Sequence, residues 1–456
     1  MNRLTKGVLS AAVSLALLGV SGTAFAAVNV QCPGDNDGDA AWDTVSGPRR
    51  LRDNPPGTAG GPPANTKCMH LIAGDSFVVM PDGNPMYTFG FGDQTGTLPA
   101  DVIGEGILDG EWPGPTIVLE EGDEFYLSLS NVGTVIRPDL FDPHTVHFHG
   151  FPNAASVFDG VPEVSISINM GSTLTYYYNI VEPGTYIYHC HVEATEHMEM
   201  GMLANLYVHS RQDRLGVAGD VGPDGLVGTA DDTVDGATAS TRFGGSKKGG
   251  YAYNDGDGTT GWDVEKAIQI SSFDSRFHDA SLFVQPLPFA GLEATYPQMN
   301  GRGYPDTLVP GDLPPPADNT APVAGHPPGK VTGTPGEILN NGTPTQTMDS
   351  VITVNQGEKL LLRLSNVSVD RFYTMTAQGL TMQIVGTGAR HMRGIDGKNV
   401  YRDVASVNFG GGETHDVLID TTGVAPGTYF LYSTELHQMS NLTELDGGMI
   451  TEIVVN

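Results

Sequence analysis

The sequence predicts an all-β protein built from two Greek-key β-sandwich domains with long loop insertions rich in glycine, proline and aspartate. Three observations predict it. Short alternating apolar and polar runs recur along the chain, and few long stretches carry helical periodicity. The 60 glycines and 31 prolines break the chain into many turn-bounded segments. A block of strand-like segments also occurs twice in the same order.

The first 26 residues combine Arg3 and Lys6, an apolar run from Gly7 to Val20, and the small-x-small site Ala24-Phe25-Ala26. This is the pattern of a secretory signal peptide, which is set aside from fold reasoning. The apolar run is short of the ~20 residues a bilayer span needs. No other segment could cross a membrane. The expected location is therefore secreted, in the periplasm or on the outer cell surface of a bacterium. Residues 27–65 form a polar N-terminal segment. A first strand-rich domain is expected over 66–210, an Asp/Gly-rich linker or insertion over 211–264, and a second domain over 265–456. A Pro/Gly-rich insertion near 301–336 reads as a surface loop.

The formal charge is −30, and loss of Arg3 and Lys6 makes it −32. Such a surface repels nucleic acid and anionic membranes and attracts cations. Basic residues are too sparse for nucleic-acid binding. There are three cysteines, Cys32, Cys68 and Cys190. An odd count in an oxidising compartment leaves one over. Cys32 and Cys68 are the expected disulfide, and Cys190, which lies between two histidines, is expected to be a metal thiolate.

The repeat is explicit. PTIVLEEGDEFYLSLSNVG (115–133) matches SVITVNQGEKLLLRLSNVS (350–368), and each reads as strand, tight turn, strand. HTVHFHGF (144–151) aligns with YTMTAQGL (373–380), and GTYIYHCH (184–191) with GTYFLYST (427–434). The framework recurs but the histidines do not. His144, His147 and His149 become Tyr373, Thr376 and Gln378, while His189, Cys190 and His191 become Tyr432, Ser433 and Thr434.

Strand parity sorts the histidines. Side chains alternate between faces with period two, so His189 and His191 share one face and Cys190 takes the other. His147 and His149 share a face, and His144 points the opposite way. One group is thus His144 with Cys190, closed by a loop that brings His197 and Met202. A thiolate, two imidazoles and a weak thioether make a blue-copper electron-transfer site. The other group is His147, His149, His189 and His191, an imidazole surface suited to copper. Cys190 is covalently adjacent to both His189 and His191, a short through-bond route between the groups. Met198 and Met200 compete with Met202 for the axial place, though packing as apolar filler suits both better.

HTVHFHG together with HCHVEATEHMEMGM resembles the copper-binding domain of multicopper oxidases, including bacterial two-domain laccases. GEWPGPTIVLEEGD and FDGVPEVSISINMGSTLTYYY are similar to that family too. AIQISSFDSRF, RLSNVSVDRFYTM and ETHDVLIDTTG resemble its copper-free middle domain. The resemblance implies cupredoxin-like domains. It implies type 1 copper on His144, Cys190, His197 and Met202, type 2 copper on His147, and a type 3 pair on His149, His189 and His191. Residues His147, His149, His189, Cys190 and His191 would then carry catalysis. A small-molecule or metal-ion donor would be oxidised and dioxygen reduced to water.

Two departures from the family stand out. The spacing from Cys190 to His197 is seven, two longer than usual. The family's cluster also takes eight histidines in four His-x-His pairs, whereas this chain has two pairs. His278, His326, His391, His415 and His437 are isolated and read as core or surface residues. The shortfall admits three readings. A homo-oligomer or a partner subunit could supply the remaining histidines. The chain could instead act like a copper nitrite reductase, although His147 stands where that pattern has aspartate, and Gln383 lies near where the neighbour's copper histidine would be sought. It could also be an electron-transfer or surface protein holding type 1 copper alone.

Asp220, Asp224, Asp231 and Asp232, set among tight glycine turns, form a candidate calcium loop, since this hard cation prefers carboxylate oxygens. DNDGDAAWD (35–43) is similar but has Ala40 where such a loop needs glycine. A solvated acidic loop is the plainer reading of both. Asp159 reads as a turn residue or as an acid behind a copper ligand.

Overall fold

The computed structural model describes residues 28–456 except 45, 48, 152–153, 216–248, 318–335 and 443. The expected signal peptide, His326 and the candidate calcium carboxylates Asp220, Asp224, Asp231 and Asp232 lie outside the described residues. No helix among those described is long and apolar enough to cross a membrane.

The first sandwich uses eight strands: β1 (Thr66–Val79), β2 (Pro85–Asp93), β3 (Ile117–Glu120), β4 (Glu124–Gly133), β5 (His147–Phe148), β6 (Thr173–Asn179), β7 (Gly184–His189) and β8 (Leu203–His209). They form two four-stranded sheets, ordered β2-β1-β4-β6 and β3-β8-β7-β5. Alternation along the strands sends Phe77, Tyr87, Leu127, Leu129, Tyr176, Tyr188 and Leu206 into one core between them. Burying an apolar side chain of this size contributes roughly 1.5–3 kcal/mol. This core places the edge of the second sheet, where the histidines lie.

After a small ribbon, β9 (Gly250–Tyr251) and β10 (Gly261–Trp262), the second sandwich follows. One sheet holds β11 (Val264–Phe273), β12 (Tyr296–Met299), β14 (Lys359–Asn366), β16 (Met382–Thr387), β17 (Arg390–His391), β18 (Arg402–Val404) and β20 (Thr414–Asp420). The other is β13 (Ile352–Val354), β15 (Tyr373–Ala377), β19 (Val407–Phe409), β21 (Gly427–Ser433) and β22 (Ile450–Val455).

The sequence repeat reappears as a repeat of pairing. β3 runs parallel to β8 as β13 does to β22, and β1 runs parallel to β4 as β11 does to β14. In the first sandwich His147 lies directly opposite His189 on β5 and β7. In the second, Thr376 lies opposite Tyr432 on β15 and β21. The register is the same and the ligands are gone. Cys32 and Cys68 form a disulfide with Cα atoms 5.8 Å apart, tying the polar N-terminal segment to β1.

A buried polar network joins the two sandwiches. The Arg363 guanidinium is wholly buried, pairs with Glu265, and lies 3.3 Å from Asp416 and 3.2 Å from the Thr185 hydroxyl. His209 bridges Glu120 at 3.1 Å and Glu265 at 3.0 Å. Tyr253 donates to Asp416. Val78, Met80, Trp112, Ile187 and Leu203 of the first sandwich pack with Phe273, Tyr296 and Val367 of the second in a shared apolar cluster.

Candidate metal centre

Cys190 follows the last residue of β7, and its N–H donates to the Met202 carbonyl at 3.1 Å. This continues the β7–β8 ladder by one pair beyond His189 and Leu203 and sets Cys190 and Met202 side by side. Between them the chain makes a short helix, Ala194–Glu199, entered through Glu193 in the left-handed region at φ 46°. The sequence reading expects an irregular loop here. The two extra residues are absorbed by a helical turn that delivers His197 to the cysteine.

The His197 Nδ1 lies 3.2 Å from Cys190 Sγ, and His144 Nδ1 lies 3.7 Å from it. His144 is fixed by a two-way backbone bridge with Ile168. One ligand atom from each of His144, Cys190 and His197 falls within 4.8 Å of the others, and all three residues are buried. Met202 and Met200 are buried too. The Met202 N–H donates to the His197 carbonyl at 2.8 Å, whereas the Met200 carbonyl is taken by the Phe89 N–H at 2.8 Å. Burial and the neighbouring His197 hold His144 well below the usual imidazole range. Burial lowers His197 too, but Cys190 and Asp142 outweigh it and push its pKa up to about 10. A bound metal replaces such a proton when a thiolate and imidazole become ligands. The donor set, its convergence and its dryness fit type 1 copper.

The second group lies on the opposite face of the same strands. His149 Nε2 and His189 Nε2 are 2.9 Å apart, and nitrogens of His147, His149 and His189 all lie within 4.8 Å of one another. Their other nitrogens are held by carbonyls: His147 Nδ1 by Asp159 at 2.6 Å, His189 Nδ1 by Cys190 at 2.7 Å and His149 Nδ1 by Gly412 at 3.3 Å. Such anchoring fixes the tautomer that leaves the inward nitrogen free for a metal. His191 lies beside them, its ring centroid 5.0 Å from that of His147 and 5.6 Å from that of His189. Its Nδ1 is buried without a hydrogen-bond partner. Burial, then His149, pushes His189 down to about 3, and burial lowers His149. Neutral imidazoles with free lone pairs are what copper requires.

The group opens onto two clefts of about 520 and 490 Å³. Their far walls come from the second sandwich, including Asp370, Arg371, Gly412, Glu413 and Thr414. Among the described residues this wall brings no histidine. Four imidazoles fit half of an eight-histidine cluster, and the described residues of the second sandwich do not provide the other half. Its equivalent face presents Gln378, Phe430 and Tyr432 in a cleft with Tyr304, Leu436 and Met439.

The other isolated histidines among the described residues have ordinary surroundings. His278 is buried with Nδ1 on the Tyr87 carbonyl at 2.6 Å. His391 bonds the Tyr401 hydroxyl at 2.7 Å, His415 packs against Phe409, and His437 is exposed beside Glu435. Asp159 acts on His147 through its backbone carbonyl as well as its carboxylate, 3.7 Å away. Sequence reasoning missed Asp142, whose carboxylate lies 3.8 Å from His197 Nε2. Its place two residues before His144 was the available signal. It also missed the Gly410–Glu413 turn, which no local motif marks.

In DNDGDAAWD, Ala40 does adopt the left-handed conformation, at φ 65°, that the loop demands of a glycine. Oxygens of Asp35, Asp37 and Asp39 converge within 4.8 Å. Arg50 pairs with Asp39 and with Asp43, so a side-chain cation already sits among the carboxylates.

A buried cysteine, two imidazoles and a buried methionine on a β-sandwich, with further imidazoles on the reverse face, define a copper protein of the cupredoxin kind. The chain belongs to the multicopper oxidase family: two family models, each described as Multicopper oxidase, match residues 101–213 and 316–456. The family binds copper. Laccase-1 of Emericella nidulans is 28% identical over 130 residues, 28% of this chain and 19% of that protein. Iron transport multicopper oxidase fetC of Epichloe festucae is 36% identical over 99 residues, 21% of this chain and 14% of that one. Multicopper oxidase MmcO of Mycobacterium tuberculosis is 36% identical over 80 residues, 18% and 14% of the two chains. The chain thus spans at most 19% of the length of these curated relatives. Among solved structures, a blue copper oxidase from Nitrosomonas europaea matches 86% of each chain with a TM-score of 0.54 at 20% identity. The multicopper oxidase mgLAC matches 86% of each chain with a TM-score of 0.55 at 18% identity. These two likenesses are of fold.

Proposed function

We propose that this chain is a secreted copper oxidoreductase of multicopper oxidase type. It oxidises a phenolic or metal-ion donor at the Cys190 site and reduces dioxygen to water at a histidine-bound cluster completed across a subunit interface. Four one-electron oxidations and four protons balance each dioxygen reduced to two waters. Bound copper would supply the one-electron chemistry at the first site and the dioxygen chemistry at the second. His144, Cys190, His197 and Met202 would hold the first copper. His147, His149, His189 and His191 would hold their share of the cluster.

One observation carries the reading. The cysteine's two sequence neighbours face a second convergent imidazole group, so a single backbone step joins donor side and oxygen side. The Cys190 carbonyl that anchors His189 adds a second link in the same path. Asp142 orients His197, and the Asp159 carbonyl orients His147. The clefts beside the imidazoles give a small molecule access. The missing histidines would come from a second copy's His147 face or from another polypeptide.

A second reading, an electron-transfer protein with the Cys190 copper alone, draws support from the replacement of the repeat positions by Thr376, Gln378 and Tyr432. Oxygen uptake by the copper-loaded protein with a phenol, Cu(I), Fe(II) or Mn(II) separates the two. Uptake with any of these supports the oxidase, and none with all four favours the second reading.

A further inference from the structure

We propose that the copper-free second sandwich sets the electronic character of the Cys190 copper site through Trp112, a positioning residue pressed against Gly201 beside Met202. The proposal rests on the reading that His144, Cys190, His197 and Met202 hold a type 1 copper.

Trp112 belongs to the first sandwich but is gripped by the second. It is 1% exposed, among the largest fully buried side chains. Its indole N–H donates to Gln298 Oε1 at 2.8 Å, and its backbone N–H donates to the Thr345 carbonyl at 2.7 Å. The ring meets Phe273 with centroids 4.0 Å apart. Gln298 is itself fixed, since its amide donates to Met80 Sδ at 3.0 Å. A buried indole held by two hydrogen bonds and an aromatic contact has little freedom to move.

The opposite edge of that ring lies on the copper loop. A Cβ at Gly201 would sit 2.4 Å from both Trp112 Cε3 and Cζ3, so the glycine lets the indole touch the backbone. Gly201 joins Met200, whose carbonyl is held by Phe89, to Met202, whose backbone is bonded to both Cys190 and His197. The indole therefore bears on the one residue between an anchored carbonyl and Met202, whose thioether would be a copper ligand. The thioether of such a site is a weak ligand, and the site's potential follows it. A small displacement of the loop thus changes the copper's spectrum before it changes the fold. A purely structural Trp112 would affect stability and leave the spectrum alone.

The test compares the copper-loaded wild type with Trp112→Phe, Gln298→Leu and Gln298→Glu. The readouts are copper per chain, the ratio of the two thiolate-to-copper absorption bands, the reduction potential and Tm. Trp112→Phe shortens the ring away from Gly201. Gln298→Leu keeps the indole but removes its acceptor, and it decides the matter if Trp112→Phe does not fold. Each is expected to retain type 1 copper and to shift the band ratio by about twofold or more, with a changed potential, as axial-ligand changes do. Gln298→Glu retains an acceptor and is expected to keep the wild-type ratio. Wild-type ratio and potential in both Trp112→Phe and Gln298→Leu, with a lowered Tm, would overturn the proposal. A wild type without either band would overturn the copper reading itself, and this proposal with it.

Discussion

At the residue scale, the decisive feature is that Cys190 and its neighbours face opposite ways. Strand parity alone separates His144 with Cys190 from His147, His149, His189 and His191, and in the structure ligand atoms of His144 and Cys190 converge with His197 while those of His147, His149 and His189 converge separately, with His191 beside them. The separation has a direct consequence. Cys190→Ser is expected to abolish the thiolate-to-copper colour while leaving copper bound at the other face. Paramagnetic resonance of the variant should therefore keep only the signal of an imidazole-bound copper. Loss of all copper would mean that the two faces do not bind independently. This much was legible because parity needs no tertiary information. Asp142 and the Gly412 carbonyl were not legible, since their contacts with His197 and His149 depend on how loops return across the sandwich.

At the element scale, the copper loop is a helix where an irregular segment was expected. The two extra residues carry no helix motif of their own. The turn forms because Glu193 takes the left-handed conformation and the Glu193 and Glu196 carbonyls accept from the His197 and Met200 N–H groups. The end of this element is tightly packed. Gly201 has φ 114°, and an added methyl would meet Trp112 at 2.4 Å and the Phe89 carbonyl at 2.8 Å. Gly201→Ala is thus expected to destabilise the protein by about 3 kcal/mol through overpacking. Urea unfolding should show a lower midpoint at unchanged slope. A midpoint equal to the wild type's would show that the loop yields freely. The repeat was fully legible as elements, since β5 and β7 and their counterparts β15 and β21 keep one register.

At the scale of the whole molecule, two sandwiches are joined by buried charge as well as by apolar surface. Burial raises Glu265, but Arg363 and His209 outweigh it and hold its pKa down at about 2. The folded value is below the ordinary one of 4.5. The ionised form's contribution is therefore complete above pH ~4.5 and is lost as pH falls towards 2. Glu265→Gln, which mimics the protonated form, should cost about 3 kcal/mol near neutral pH and progressively less below pH ~4.5. A cost independent of pH, measured by denaturant unfolding, would show that the charge on Glu265 does not matter. None of this network was legible in the sequence, because Glu120, His209, Glu265, Arg363 and Asp416 come from both halves of the chain. The ligand shortfall, by contrast, was read directly, since the second half carries Thr376, Gln378 and Tyr432 in place of histidines. On the proposed function, the whole assembly, not the single chain, is the unit in which the oxidase is complete. The central claim is that the chain holds copper on both faces of β7. Its most direct test is copper stoichiometry with paramagnetic resonance on the purified protein. The account predicts more than one copper per chain and two signals, of which His147→Ala removes the second and spares the type 1 signal. One copper per chain with a type 1 signal alone would contradict it.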